Sequence, residues 1–91
     1  MPERTATVAS KVGLHARPAA VFVKAAAEAA VPVTIRKKDG LAVNAASILS
    51  IMTLGVSHGD EVVLAAQGDG ADAVLDALTE LLEQDLDAPA R

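Results

Sequence analysis

The chain contains no cysteine, tryptophan or tyrosine, and Phe22 is its single aromatic residue. Without cysteine, disulfides, thiolate catalysis and zinc–thiolate centres are excluded, which is compatible with a reducing compartment. Without aromatic platforms, nucleic-acid bases have almost nothing to stack on. Positive charge is scarce as well. Eight Lys and Arg stand against twelve Asp and Glu, a net charge of -4 at pH 7. Nucleic acid is therefore not expected as a partner, because binding phosphates needs a basic face. No run approaches the roughly 18 consecutive apolar residues that insertion across a membrane requires. No N-terminal segment joins a basic start to a long apolar run, so no signal peptide is expected. With two histidines and no cysteine, no transition-metal site and no cofactor are expected.

What the chain does have is periodicity. Its 91 residues suit one domain covering residues 1–91. A domain of that size buries roughly two thirds or less of its unfolded surface, which favours surface chemistry over a deep enclosed site. Thr5 to Val8 alternates polar and apolar and reads as a half-buried strand. The following residues up to His15 lack a period and contain Gly13, so they read as a loop. Ala16 to about Ala30 is rich in helix-forming alanine, with Ala19, Phe22, Val23 and Ala26 at core-facing spacing and Pro32 beyond its end. Val31 to Arg36 alternates again, with Val33 and Ile35 on one face. Lys38-Asp39-Gly40 signals a hairpin turn that returns through Leu41 to Val43. Ser47 and Gly55 bracket a short helix, Ile48 to Leu54, as N-cap and C-cap. Asp60 to Ala66 is a fourth strand, with Val62 and Leu64 on one face. After Gly68-Asp69-Gly70, the stripe Val74, Leu75, Leu78, Leu81, Leu82 and Leu86 marks a last helix, with Asp72 in its first turn. Residues 88–91 are expected to fray. The order is βαββαβα, an α+β arrangement whose sheet has one face covered by helices and one face wet.

The chemistry concentrates in Gly13-Leu14-His15-Ala16-Arg17-Pro18-Ala19. A histidine stands where a loop becomes a helix. The first N–H groups of a helix have no internal acceptor, and with the helix dipole they favour an anion. A phosphoryl group on the His15 ring would accept hydrogen bonds from the backbone N–H groups of Ala16 and Arg17. Pro18 has no N–H to offer and suits a first helical turn. Arg17 adds a permanent charge and a planar fork matched to phosphate. Neutral imidazole is the nucleophilic form, and a phosphoramidate bond is labile, as a relay requires. A histidine at a helix start is more often a plain capping or solvent-facing residue, so spacing alone leaves both readings open.

The full string Gly13-Leu14-His15-Ala16-Arg17-Pro18-Ala19, together with Val43-Asn44 to Leu54-Gly55 and Ser47 inside it, resembles the HPr family. These are the histidine-containing phosphocarriers of the bacterial phosphoenolpyruvate-dependent sugar phosphotransferase system. The resemblance covers nearly the whole chain. It implies an open-faced β-sandwich, a four-stranded antiparallel sheet with three helices on one face. It implies a phosphoryl carrier, not an enzyme, acting in the cytoplasm as a monomer. His15 would be phosphorylated on Nδ1 by Enzyme I and would pass the group to the IIA domain of a sugar permease. Arg17 would steady the group in both transfers. Relatives serving a nitrogen-regulatory or dihydroxyacetone-kinase branch share these features.

The same resemblance assigns Ser47 to the position of a regulatory phosphoserine, which would involve a serine kinase and a transcriptional regulator. Capping of the helix alone also accounts for it. Ala46 stands where a Lys commonly precedes that serine, and Ser50 where a Gly is common. A regulatory binding module acting through Ser47 is the contrasting reading, and His15 argues against it. Ile48, Leu49, Met52 and Leu54 cannot all face inward on a short helix. Ile48, Leu49 and Met52, with Lys24 two turns along the preceding helix, are therefore candidates for partner docking. Leu49 and Met52 are expected to be partly exposed. His58 lies in a turn and reads as a surface residue. Val12 replaces a small polar residue common in the family, which leaves the means of orienting the His15 ring open.

Overall fold

Four strands and three helices form in the expected order: β1 (Glu3–Thr7), α1 (Ala16–Ala27), β2 (Val33–Lys37), β3 (Val43–Asn44), α2 (Ile48–Leu54), β4 (Glu61–Ala66) and α3 (Ala71–Leu82). The structure is a computed structural model that describes residues 2–11 and 13–84. Leu86, the tail 88–91 and Val12 lie outside the described residues. The sheet order is β1-β4-β2-β3, and every pairing is antiparallel.

Register explains the two faces. Arg4 lies opposite Leu64, which lies opposite Ile35; Thr5 lies opposite Val63, which lies opposite Arg36. One face therefore collects Ala6, Val62, Leu64, Ala66, Val33 and Ile35, all buried, and the other carries Glu3, Thr5, Thr34, Val63 and Arg36. The helices cover the apolar face only. The end strands β1 and β3 carry α3 and α2 respectively, and α1 packs against both helices. Phe22, Ala19 and Ala26 of α1 join Ile51 of α2 and Leu75, Leu78 and Leu82 of α3 in one core. Full burial of each large apolar side chain contributes about 1.5–3 kcal/mol.

Besides small shifts at β2, which runs Val33–Lys37 instead of Val31 to Arg36, and β4, which begins at Glu61 instead of Asp60, three boundaries differ from the sequence reading. β1 begins at Glu3, two residues early, because β4 supplies partners for Glu3 and Arg4. Val8 keeps the alternation and is buried, but its N–H bonds Asp60 beyond the ladder at 3.0 Å. α1 stops at Ala27, short of Ala30. Pro32 disfavours helix at Val31, and Val33 must already enter the sheet. The third difference is the hairpin. The Gly40 N–H bonds the Lys37 carbonyl at 2.9 Å, so Gly40 is the fourth residue of its turn and has no positive φ. A two-residue hairpin of the mirror-image type needs positive φ at its glycine. The return is looser: Leu41 is 87% exposed, and β3 holds only Val43 and Asn44.

Arg4 has a role that periodicity does not disclose. It lies on the helix-facing side of β1, at the sheet edge. Its Nη2 reaches Asp72 at 3.1 Å and its Nε reaches Asp76 at 3.0 Å. These carboxylates, one turn apart on α3, clamp the helix to the strand. At the other end of α3, the Ala9 N–H donates to the Leu82 carbonyl at 3.0 Å. This ties the helix end to the segment that leads into His15.

Candidate functional site

His15 is the N-cap of α1, with extended backbone (φ -131°, ψ 161°) and no capping bond from its side chain. It is half-buried, and its ring makes no hydrogen bond among the described residues. Ala16, Arg17 and Pro18 fill the first three helical positions. The Ala16 and Arg17 N–H groups are unpaired by helix geometry, and Pro18 has none. Even the next bond, from Ala19 N–H to the His15 carbonyl, is long at 3.5 Å. Pro18 and Ala19 are buried and anchor the first turn, whereas Arg17 is exposed and makes no ion pair among the described residues. At one helix start, an imidazole and a guanidinium without partners among the described residues thus stand beside two amides that have no acceptor within the helix. Such an arrangement has the chemistry to hold an anion bonded to the ring.

The loop before His15 is held from the other side. The Leu14 N–H donates to the Val56 carbonyl at 3.1 Å, and the Gly13 N–H donates to the Ser10 carbonyl at 2.9 Å. Leu14 is buried. Val56 follows directly on Gly55, the left-handed C-cap of α2 (φ 64°, ψ 42°). The His15 loop and α2 therefore share a backbone junction.

α2 is capped as the sequence predicts. Ser47 Oγ accepts the Ser50 N–H at 3.3 Å. Of its apolar residues Ile51 is fully buried and Leu54 half-buried, while Ile48, Leu49 and Met52 are 41%, 75% and 50% exposed. These three sit at spacings of three and four and form one outward apolar strip. Lys24 is exposed near the end of α1, about 13 Å along the helix axis from His15, and does not belong to the His15 site. His58 is exposed in the turn before β4. Because the capping bond is long, Ser47→Ala is expected to cost about 0.5–1 kcal/mol, read as a lowered urea midpoint at unchanged slope.

A polar network supports the junction from behind. Lys37 Nζ donates to the Gly55 carbonyl at 3.3 Å and pairs with Asp60 Oδ2 at 3.4 Å; Asp60 Oδ2 also accepts the Ser57 N–H at 2.9 Å. The Ser57 hydrogen bond, aided by Lys37, holds the Asp60 carboxyl below its ordinary value of 3.8. A lowered folded-state value means this stabilisation is present above pH 3.8 and is lost as pH falls through the folded value. Asp60→Asn is therefore expected to melt below wild type at neutral pH. The two melting temperatures should converge under acid conditions below pH 3.8. Local sequence shows only the turn at Ser57-His58-Gly59-Asp60; Lys37, which completes the network, is 23 residues away from Asp60 and leaves no signal there.

Among the described residues no group of three or more His, Asp or Glu is placed to hold a metal ion. Among them, too, no helix is long and apolar enough to cross a membrane.

Comparison with known proteins gives this geometry its family. Residues 2–84 match the model of the PTS-HPr family, described as the PTS HPr component phosphorylation site. The chain is 49% identical over 87 residues to the phosphocarrier protein HPr of Streptomyces coelicolor, covering 96% of this chain and 94% of that one. It is 41% identical to the HPr-like protein Crh of Bacillus subtilis, over 94% of this chain and all of that one. The crystal structure of HPr-C-His from Thermoanaerobacter tengcongensis superposes with a TM-score of 0.88 at 42% identity, covering 99% of this chain and 100% of that one. With the motif, the open-faced sheet and near full-length identity in agreement, the chain belongs to the HPr family of phosphocarrier proteins.

Proposed function

We propose that this chain carries a phosphoryl group on His15, taking it from phosphorylated Enzyme I and giving it to the IIA domain of a sugar permease. The observation that carries this reading is the His15 ring at the N-cap of α1, which makes no hydrogen bond among the described residues. In the forward step the Nδ1 lone pair of neutral His15 attacks phosphorus. The bond from phosphorus to the donor residue breaks, and its electrons stay with the donor. The Ala16 and Arg17 amides and the Arg17 guanidinium stabilise the charge on the transferred oxygens. The reverse polarity applies when IIA attacks: the phosphorus–nitrogen bond breaks and His15 returns to neutral imidazole. Nothing here calls for turnover of a small substrate.

Ile48, Leu49 and Met52 give both partners an apolar surface on α2, the helix that packs against α1, and Lys24 offers a cation farther along α1. The experiment is incubation with labelled phosphoenolpyruvate and Enzyme I. The expected product is an acid-labile, base-stable phosphoprotein that loses its label on adding IIA. A second reading, regulation through Ser47, draws on the similarity to an HPr-like Crh protein and on the place of Ser47 beside the exposed strip. It predicts an acid-stable phosphate from ATP and a serine kinase, so the stability of the phosphate separates the two.

A further inference from the structure

His15 is only as well placed as the loop that presents it, and one residue of that loop admits no side chain. Gly13 is buried, with φ +70°. A Cβ there would collide with the Val56 carbonyl oxygen and would lie 2.8 Å from Ser57 Cα. Both obstacles are backbone atoms, which cannot swing aside as a flexible side chain would. The obstructed carbonyl is also the acceptor of the Leu14 N–H. A methyl group at residue 13 would therefore have to push away the oxygen that pins the residue before His15.

We propose that Gly13 is a positioning residue: its missing side chain lets the His15 loop seat on the Val56–Ser57 backbone, which sets His15 relative to the docking strip of α2. This inference rests on His15 being the phosphorylated residue. The covalent path supports it. Val56 is two residues from Leu54, the last residue of α2, and its carbonyl is one hydrogen bond from Leu14. A partner that grips Ile48, Leu49 and Met52 thus meets His15 at a fixed offset.

The fold supplies its own control. Gly70, the N-cap of α3, also has positive φ (+86°), yet a Cβ there meets nothing within 4 Å. Gly70→Ala carries the strain of a left-handed residue without the collision. Gly13→Ala carries both.

The test compares wild type, Gly13→Ala and Gly70→Ala at a temperature where circular dichroism shows each folded. Phosphoryl transfer is measured from phosphoenolpyruvate through Enzyme I, and separately from phosphoramidate, a small donor that needs no docking. For Gly13→Ala, kcat of the Enzyme I reaction should fall about tenfold or more, exceeding any rise in KM, as misplacement of a reacting group does. Labelling by phosphoramidate should change less than about twofold, and Gly70→Ala should match wild type in both assays. Should Gly13→Ala fail to fold, an amide-to-ester replacement at the Gly13–Leu14 linkage removes the Leu14 N–H and so breaks the same bond to the Val56 carbonyl without adding a methyl group, and the same drop is expected. The inference is overturned if the residue-13 change leaves the Enzyme I rate intact. It is also overturned if both glycine variants lose equally, or if phosphoramidate labelling falls in parallel. A wild type that Enzyme I leaves unlabelled overturns the carrier reading itself and takes this inference with it.

Discussion

His15→Ala is expected to abolish phosphoryl acceptance while leaving the fold close to wild type. In the proposed function His15 is the nucleophile, so its loss should reduce the rate by at least about a thousandfold, the scale on which removing a covalent nucleophile acts. Its contribution to stability is small, because its ring makes no hydrogen bond among the described residues and no cap bond to α1. A side chain of that kind costs within about 0.5 kcal/mol when truncated. The measurement is labelling by phosphoenolpyruvate and Enzyme I, alongside a melt followed by circular dichroism. His58→Ala serves as the companion, since His58 is exposed in a turn before β4, and it should label like wild type. Label that survives in His15→Ala sinks the carrier reading. Loss of label together with collapse of the melt would mean that His15 is structural.

The two histidines show what local sequence carries. Their composition is identical, but one precedes Ala16-Arg17-Pro18-Ala19 and the other precedes Gly59-Asp60. A helix start with a proline at its third position leaves only two amides facing the cap, and this can be read from residue order. The caps of α2 are legible for the same reason, because Ser47 and Gly55 act on atoms within a few residues of themselves. So is the α3 stripe up to Leu82, where a 3.6-residue period meets one buried face.

What sequence does not show is set by distant partners. By its position Asp72 answers a helix dipole, and it also holds Arg4 from 68 positions away. Leu41 reads as part of a returning strand, yet only two residues of that strand find a place beside β2. Gly13 reads as a loop glycine, and the reason for it is the Val56 carbonyl, 43 residues on. Periodicity reports which face a residue takes. It cannot report which backbone will lie against that face.

Phe22→Ala is expected to have the largest effect on stability of any single truncation in α1. Phe22 is fully buried where α1 meets the core, and it is the sole aromatic side chain in the chain. Its neighbours on that face, Ala19 and Ala26, are small and cannot expand to fill the space it leaves. Loss of its transfer energy plus the cavity should cost about 3–5 kcal/mol. For a domain of this size that lowers the melting temperature by about 12 °C or more, from a total stability of only about 5–15 kcal/mol. Leu49→Ala removes a residue that is 75% exposed on α2 and should cost within about 0.5 kcal/mol. With no tryptophan or tyrosine to report fluorescence, far-ultraviolet circular dichroism is the readout for both. Because α1 carries His15 at its start, Phe22→Ala should lower phosphoryl acceptance only at temperatures where the melt has begun. Leu49→Ala should weaken acceptance from Enzyme I at every temperature, through KM. Equal thermal losses in the two variants would contradict a core between the helices and the apolar face of the sheet. A Phe22→Ala protein that is fully folded but unlabelled would contradict the assignment of the chemistry to His15 and the helix start alone.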